Sequence, residues 1–116
     1  MNIKNLLLFS TLVLATSPAY GADIEKGKTL FAQRCAMCHG DKGAGDGPIA
    51  ATMPEDQRPR NLTTGVNKYA TDDAKLTELL MKGGAELGLS VMMPAQSDLK
   101  AAELADLVAF VNSLKK

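Results

Sequence analysis

The chain's only histidine and both of its cysteines fall within five residues, Cys35-Ala36-Met37-Cys38-His39. Two thiols three positions apart, followed at once by an imidazole, have the spacing of a c-type haem attachment site. Two thiols can add across the two vinyl groups of a haem and form two thioethers. The next side chain can then bring a ring nitrogen to the iron as its proximal ligand.

Other chemistries of the same residues fit less well. A thioredoxin-like dithiol belongs to a βαβ context, and no strand-like run precedes Cys35. A structural zinc site needs four ligands, and no further cysteine or histidine exists to complete one. A disulfide between residues three apart remains as the bland reading.

The segments that must position these residues read as helices joined by long loops. Asp23 is placed to cap a helix from Ile24 to about Arg34. Gly27 and Phe31 lie four apart on one face, and Cys35 continues that line. A glycine within a helix costs about 1 kcal/mol relative to alanine. It is accounted for if another helix crosses closely at that point.

After His39, the run Gly40-Asp41-Lys42-Gly43-Ala44-Gly45-Asp46-Gly47-Pro48 excludes regular structure. No strand precedes it and no Gly-Lys-Ser/Thr follows, so it is not a phosphate loop. Its glycines are expected to let the backbone turn beside a flat cofactor. Ile49 to Met53 reads as a short turn, and Pro54 to Gly65 as irregular. A carbonyl that accepts the second ring N–H of a ligating histidine fixes its orientation. Pro59 is the candidate for that carbonyl, with Pro48 the alternative. Arg58 and Arg60 could pair with haem propionates, or be solvated loop charges.

Thr71 is the expected cap of a second helix, with Asp72 and Asp73 in its first turn where the helix dipole favours acids. Leu76, Leu79 and Leu80 form its apolar face, and Gly83-Gly84 ends it. A loop from Ala85 to Ser97 holds Val91-Met92-Met93-Pro94. Leu104, Leu107, Val108, Val111 and Leu114 make one stripe along a last helix from Ala101 to about Lys115.

With 116 residues the chain makes one small domain. Residues 1–21 read as a secretory signal peptide: Lys4, the apolar run Leu6 to Ala15, then Ala19-Tyr20-Gly21 with small residues before Ala22. About ten apolar residues are too few to span a bilayer. The domain is then 22–116, free of a membrane span once the signal is removed. Thirteen acidic and thirteen basic residues balance over the whole chain, which gives no reason to expect a nucleic-acid partner. There is no tryptophan and few aromatics. Side chains alone make a thin core, which a large apolar cofactor would fill.

Lys26-Gly27-Lys28-Thr29-Leu30-Phe31-Ala32-Gln33-Arg34-Cys35-Ala36-Met37-Cys38-His39 resembles the first helix and haem motif of class I cytochromes c. Leu104-Ala105-Asp106-Leu107-Val108-Ala109-Phe110-Val111 is similar to that family's last helix, whose aromatic, here Phe110, packs near the glycine of the first. Met93-Pro94 resembles the Met-Pro of the loop before that helix, and Pro59-Arg60-Asn61-Leu62 the family's Pro-Asn-Leu segment, which favours Pro59 over Pro48. The glycine-rich loop is closer to small bacterial single-haem members than to the mitochondrial branch.

The resemblance implies an all-α cytochrome c-like fold, with three or more helices and long loops around one haem c. Cys35 and Cys38 would hold the haem covalently, with His39 and Met93 as axial iron ligands. Met92 lacks the following proline, and Met53-Pro54 lies too early in the chain. The implied protein is a periplasmic, monomeric electron carrier rather than an enzyme. It would pass single electrons between transient redox partners by Fe(II)/Fe(III) cycling. The alternatives are a dedicated haem subunit of a periplasmic oxidoreductase complex, or a haem enzyme or gas sensor with an open sixth position.

Overall fold

The computed structural model describes residues 21–64 and 69–116. Apart from Gly21, the expected signal segment lies outside the described residues. Four α-helices and no strand occur among them: α1 (Ile24–Arg34), α2 (Ala36–His39), α3 (Asp73–Lys82) and α4 (Ala101–Ser113). Single 3-10 turns at Ala50–Thr52, Glu55–Gln57 and Ala85–Leu87 punctuate the loops. The all-α expectation therefore holds.

Each long helix begins where a side chain takes up a free backbone donor. Asp23 caps α1 by accepting from the Lys26 N–H at 3.2 Å. Asp72, not Thr71, caps α3, accepting from the Lys75 N–H at 2.8 Å. The helix therefore starts one residue later than expected, with only Asp73 in its first turn. At α4 the Glu103 carboxylate accepts from the Lys100 N–H at 3.0 Å. Gly83 ends α3 with φ of +79°, a left-handed conformation that L side chains avoid.

The most extensive helix pair is α1 with α4. At the crossing, a Cβ on Gly27 would overlap the Asp106 carbonyl and stand 2.8 Å from the Phe110 Cβ. Close approach therefore requires glycine there, and it outweighs the propensity cost. Phe31 and Phe110 stack tilted one turn further on, with ring centroids 5.2 Å apart. The Asp23 N–H donates to Asp106 Oδ1 at 2.7 Å, tying the start of α1 to α4. The stripe on α4 turns inward as expected: Leu104, Leu107, Val108 and Val111 are buried and Leu114 packs at the edge. Leu76, Leu79 and Leu80 of α3 join the same cluster. This helical frame leaves a large cleft lined by α1, α2, α3, Val111 of α4 and the loops.

Candidate haem site

The site begins where α1 stops. Cys35 departs from helical geometry (φ −122°, ψ −30°), and its carbonyl starts a new short helix by accepting from Cys38 N–H at 3.2 Å and His39 N–H at 2.8 Å. One turn of helix brings Cys35, Cys38 and His39 onto the wall of a single cavity of about 560 Å³. Both thiols are free and half-buried. Burial pushes the Cys35 thiol up to about 11, with the Arg34 guanidinium acting in the other direction.

Burial also lowers the His39 pKa below its ordinary value, opposed by a hydrogen bond to the Arg60 carbonyl. The ring is thus neutral at pH 7 and carries one N–H. His39 Nδ1 lies 3.2 Å from the Arg60 carbonyl oxygen, an atom that can only accept, so the proton sits on Nδ1 and Nε2 keeps its lone pair. The ring packs near Phe31, with centroids 6.4 Å apart. The orienting carbonyl is therefore that of Arg60, not Pro59 or Pro48. The segment was the expected one, but its register is shifted by one peptide.

The glycine loop behaves differently from the expectation. None of Gly40, Gly43, Gly45 or Gly47 lines the cavity. They pack against the outside of the pentapeptide and the 59–62 segment instead. Gly40, Gly45, Gly47 and Ile49 donate their N–H groups to the carbonyls of Ala36, His39, Cys38 and Met37, at 2.7–3.1 Å. A Cβ on Gly47 would collide with the Ala36 and Met37 carbonyls. One on Gly45, whose φ is +83°, would stand 2.9 Å from the Pro59 carbonyl.

Met53, Met92 and Met93 reach the same cavity; Met37 and Met81 are exposed and do not line it. Met93 is half-buried, with its carbonyl held by the Gly84 N–H at 3.0 Å. Met53 is only 6% exposed, so the decoy methionine is a buried wall of the cavity. Its place there was not legible from Met53-Pro54; chain order alone argued against it. Arg58 and Arg60 both line the cavity, and Arg58 Nε donates to the Met53 carbonyl at 3.3 Å.

The donor set fits an iron porphyrin. Two thiols at vinyl-bridging sequence spacing, a neutral imidazole and soft thioethers share one cavity walled by Phe31, Leu76, Leu79, Leu80, Leu89 and Val111. Sequence reasoning missed two features at this site. Arg34 lines the cavity and forks onto Asp98, with Nη1–Oδ1 at 2.8 Å and Nη2–Oδ2 at 2.7 Å, while Nη1 also meets Gln96 Oε1 at 3.0 Å. Gln57 binds the loop before Met93. Neither carried a local signal, because both depend on contacts between distant parts of the chain.

An all-helical fold around an apolar cavity bearing Cys-x-x-Cys-His defines a class of covalent haem proteins, and sequence comparison places the chain within it. The family model described as Cytochrome c matches residues 24–115, and the chain belongs to that family. Members bind haem c and function in electron transfer. The chain is 31% identical over 94 residues to the cbb3-type cytochrome c oxidase subunit FixP of Bradyrhizobium diazoefficiens. That alignment covers 81% of this chain and 28% of FixP, so the chain spans little more than a quarter of that relative. Among solved structures it resembles the reducing HAO-like protein complex of Kuenenia stuttgartiensis, with TM-score 0.70, 27% identity, and coverage of 82% of this chain and 44% of that one. It also resembles cytochrome cL of Methylophaga aminisulfidivorans, with TM-score 0.60, 25% identity, and coverage of 79% and 53%.

Proposed function

We propose that this protein is an exported, monomeric carrier of single electrons with one covalently bound haem. Residues 1–21 direct it to the periplasm and are then removed. The observation that carries the reading is the convergence of Cys35, Cys38, His39 and Met93 on one apolar cavity. When bound, haem supplies an iron that accepts and returns one electron.

The chain's own residues do the rest. Cys35 and Cys38 form the thioether tethers. His39 offers Nε2 to the iron while the Arg60 carbonyl holds the ring through Nδ1–H. Met93 provides a soft sulfur ligand that favours the reduced state and raises the potential. Leu76, Leu79, Leu80 and Phe31 exclude water from the cavity walls, which limits reorganisation on electron transfer. Such a protein meets its redox partners through small, transient interfaces.

The test is the spectrum of protein produced with a haem-attachment system. The carrier gives low-spin ferric haem with a weak sulfur-to-iron band in the far red. High-spin ferric haem that takes up cyanide at once indicates an open sixth position and overturns the reading.

A second reading is a haem subunit of one oxidoreductase complex. It is favoured by the relatives named as oxidase subunits. Gel filtration of the native protein separates the two: the carrier elutes alone, the subunit with its complex.

A further inference from the structure

Gln57 closes the 3-10 turn Glu55–Gln57 and lines the cavity. Both polar atoms of its side-chain amide have partners. Nε2 donates to Asp56 Oδ2 at 3.2 Å. Oε1 accepts from the Val91 N–H at 2.9 Å and lies 3.0 Å from the Ser90 hydroxyl. That hydroxyl is also 2.9 Å from the Gln57 backbone carbonyl, and it accepts from the Met92 N–H at 3.2 Å. The orientation of the amide follows from its neighbours. A backbone N–H can only donate and an ionised carboxylate can only accept, so oxygen faces Val91 and nitrogen faces Asp56.

One side chain from the 50s loop thus holds the Val91 N–H directly and meets the Ser90 hydroxyl, which in turn holds the Met92 N–H; these three residues lead into Met93. From the other side, the Gly84 N–H holds the Met93 carbonyl at 3.0 Å, and the Gln96 N–H donates to the Leu80 carbonyl at 2.6 Å. A side chain at Gly84 would collide with the Ser90 carbonyl, so α3 ends flush against this loop. The loop is clamped between Gln57 and the end of α3. Of the two clamps, only Gln57 acts through a side chain.

We infer that Gln57 is a positioning residue for the Met93 thioether, its amide oxygen holding the 90–92 turn so that Met93 stays in place. This inference rests on the proposed ligation by Met93. Loss of the Val91 hydrogen bond, with the Ser90 hydroxyl left to the Gln57 backbone carbonyl, shifts a local opening equilibrium by up to about tenfold.

The test uses the oxidised holoprotein with imidazole as the displacing probe. The quantity followed is the rate at which the far-red sulfur band disappears at saturating imidazole, where loop opening limits the reaction. Gln57→Leu removes the acceptor without changing charge, and it should react roughly fivefold faster than wild type, with a lowered reduction potential. The exchanged pair D56N/Q57E keeps the net charge and an acceptor facing Val91, reversing only the hydrogen bond between residues 56 and 57. It should react within about twofold of wild type. Ser90→Ala retains the Val91 contact and should fall between.

A wild-type rate in Gln57→Leu, or an exchanged pair as fast as Gln57→Leu, overturns the inference. Should Gln57→Leu not accumulate as holoprotein, Gln57→Ala decides: a wild-type rate there overturns it equally. A band that survives Met93→Ala refutes the ligand assignment, and this inference with it. A band lost in Met93→Ala beside unchanged rates in the Gln57 variants refutes the inference alone.

Discussion

Cys35, Cys38 and His39 come from five consecutive residues at the joint between two helices, and every carbonyl from Cys35 to His39 has a backbone partner. Met93 comes from a loop between α3 and α4, held at separate points by Gly84, by Gln57 through Ser90 and Val91, and by the Arg34 fork further along. The backbone of the first region is fixed mainly by residues that follow closely in sequence. The second depends also on Gln57 and Arg34, which lie far from it in the chain. Local bonds form with little loop-closure cost, whereas contacts between distant segments must overcome it. The methionine loop is therefore the region from which opening should begin.

The largest effect should come from cutting the local region. Replacing Cys35 and Cys38 with serine should leave haem fully extractable by acid–acetone, where the wild type retains it. Met93→Ala should keep the covalent haem yet lose the far-red band and lower the reduction potential, while Met53→Ala leaves the band in place. Interchange of those two outcomes would move the ligand to Met53, whose burial in the same cavity makes it the sharpest competitor.

A smaller effect is expected from the helix crossing that supports the cysteine–histidine segment. Gly27→Ala gains helix propensity but drives a methyl group into the Asp106 carbonyl and towards Phe110. Overpacking should win, lowering unfolding stability by about 1–3 kcal/mol in denaturant titrations, with the far-red band unchanged.

The smallest concerns the Arg34–Asp98 pair. The Arg34 hydrogen bond holds the Asp98 carboxyl below its ordinary value. Its stabilising effect is thus present above the unfolded-state pKa and lost as pH falls through the folded-state one. Asp98→Asn should differ from wild type at neutral pH, and the two stabilities should converge as acid protonates Asp98. Both groups reach solvent, so added salt should shrink the difference too.

How much could be read in advance follows the same division. The pentapeptide, α1 with Gly27 and Phe31, and the stripe of α4 were legible because each is a short-range pattern whose period or spacing states its purpose. The methionine loop was legible only in outline. Met93-Pro94 could be ranked by resemblance, but nothing near Gln57 or Ser90 announces that they meet. The Arg60 carbonyl was missed by one peptide, since a proline marks a bend without fixing which carbonyl turns inward. The glycines were assigned to the wrong neighbour: a run of glycine reports close approach, but not what is approached. Here it is the backbone of the pentapeptide.

That wrapping has a consequence for how the protein moves. The segment from Gly40 to Ala50 is neither helix nor strand until its last residue. Yet the amides of Gly40, Gly43, Gly45, Gly47, Ile49 and Ala50 are all hydrogen-bonded within the backbone. Amide hydrogen exchange depends on whether a donor is bonded and how often that bond opens. Solvent deuterium should therefore enter this glycine-rich stretch slowly, on the timescale of α1 rather than that of an open loop.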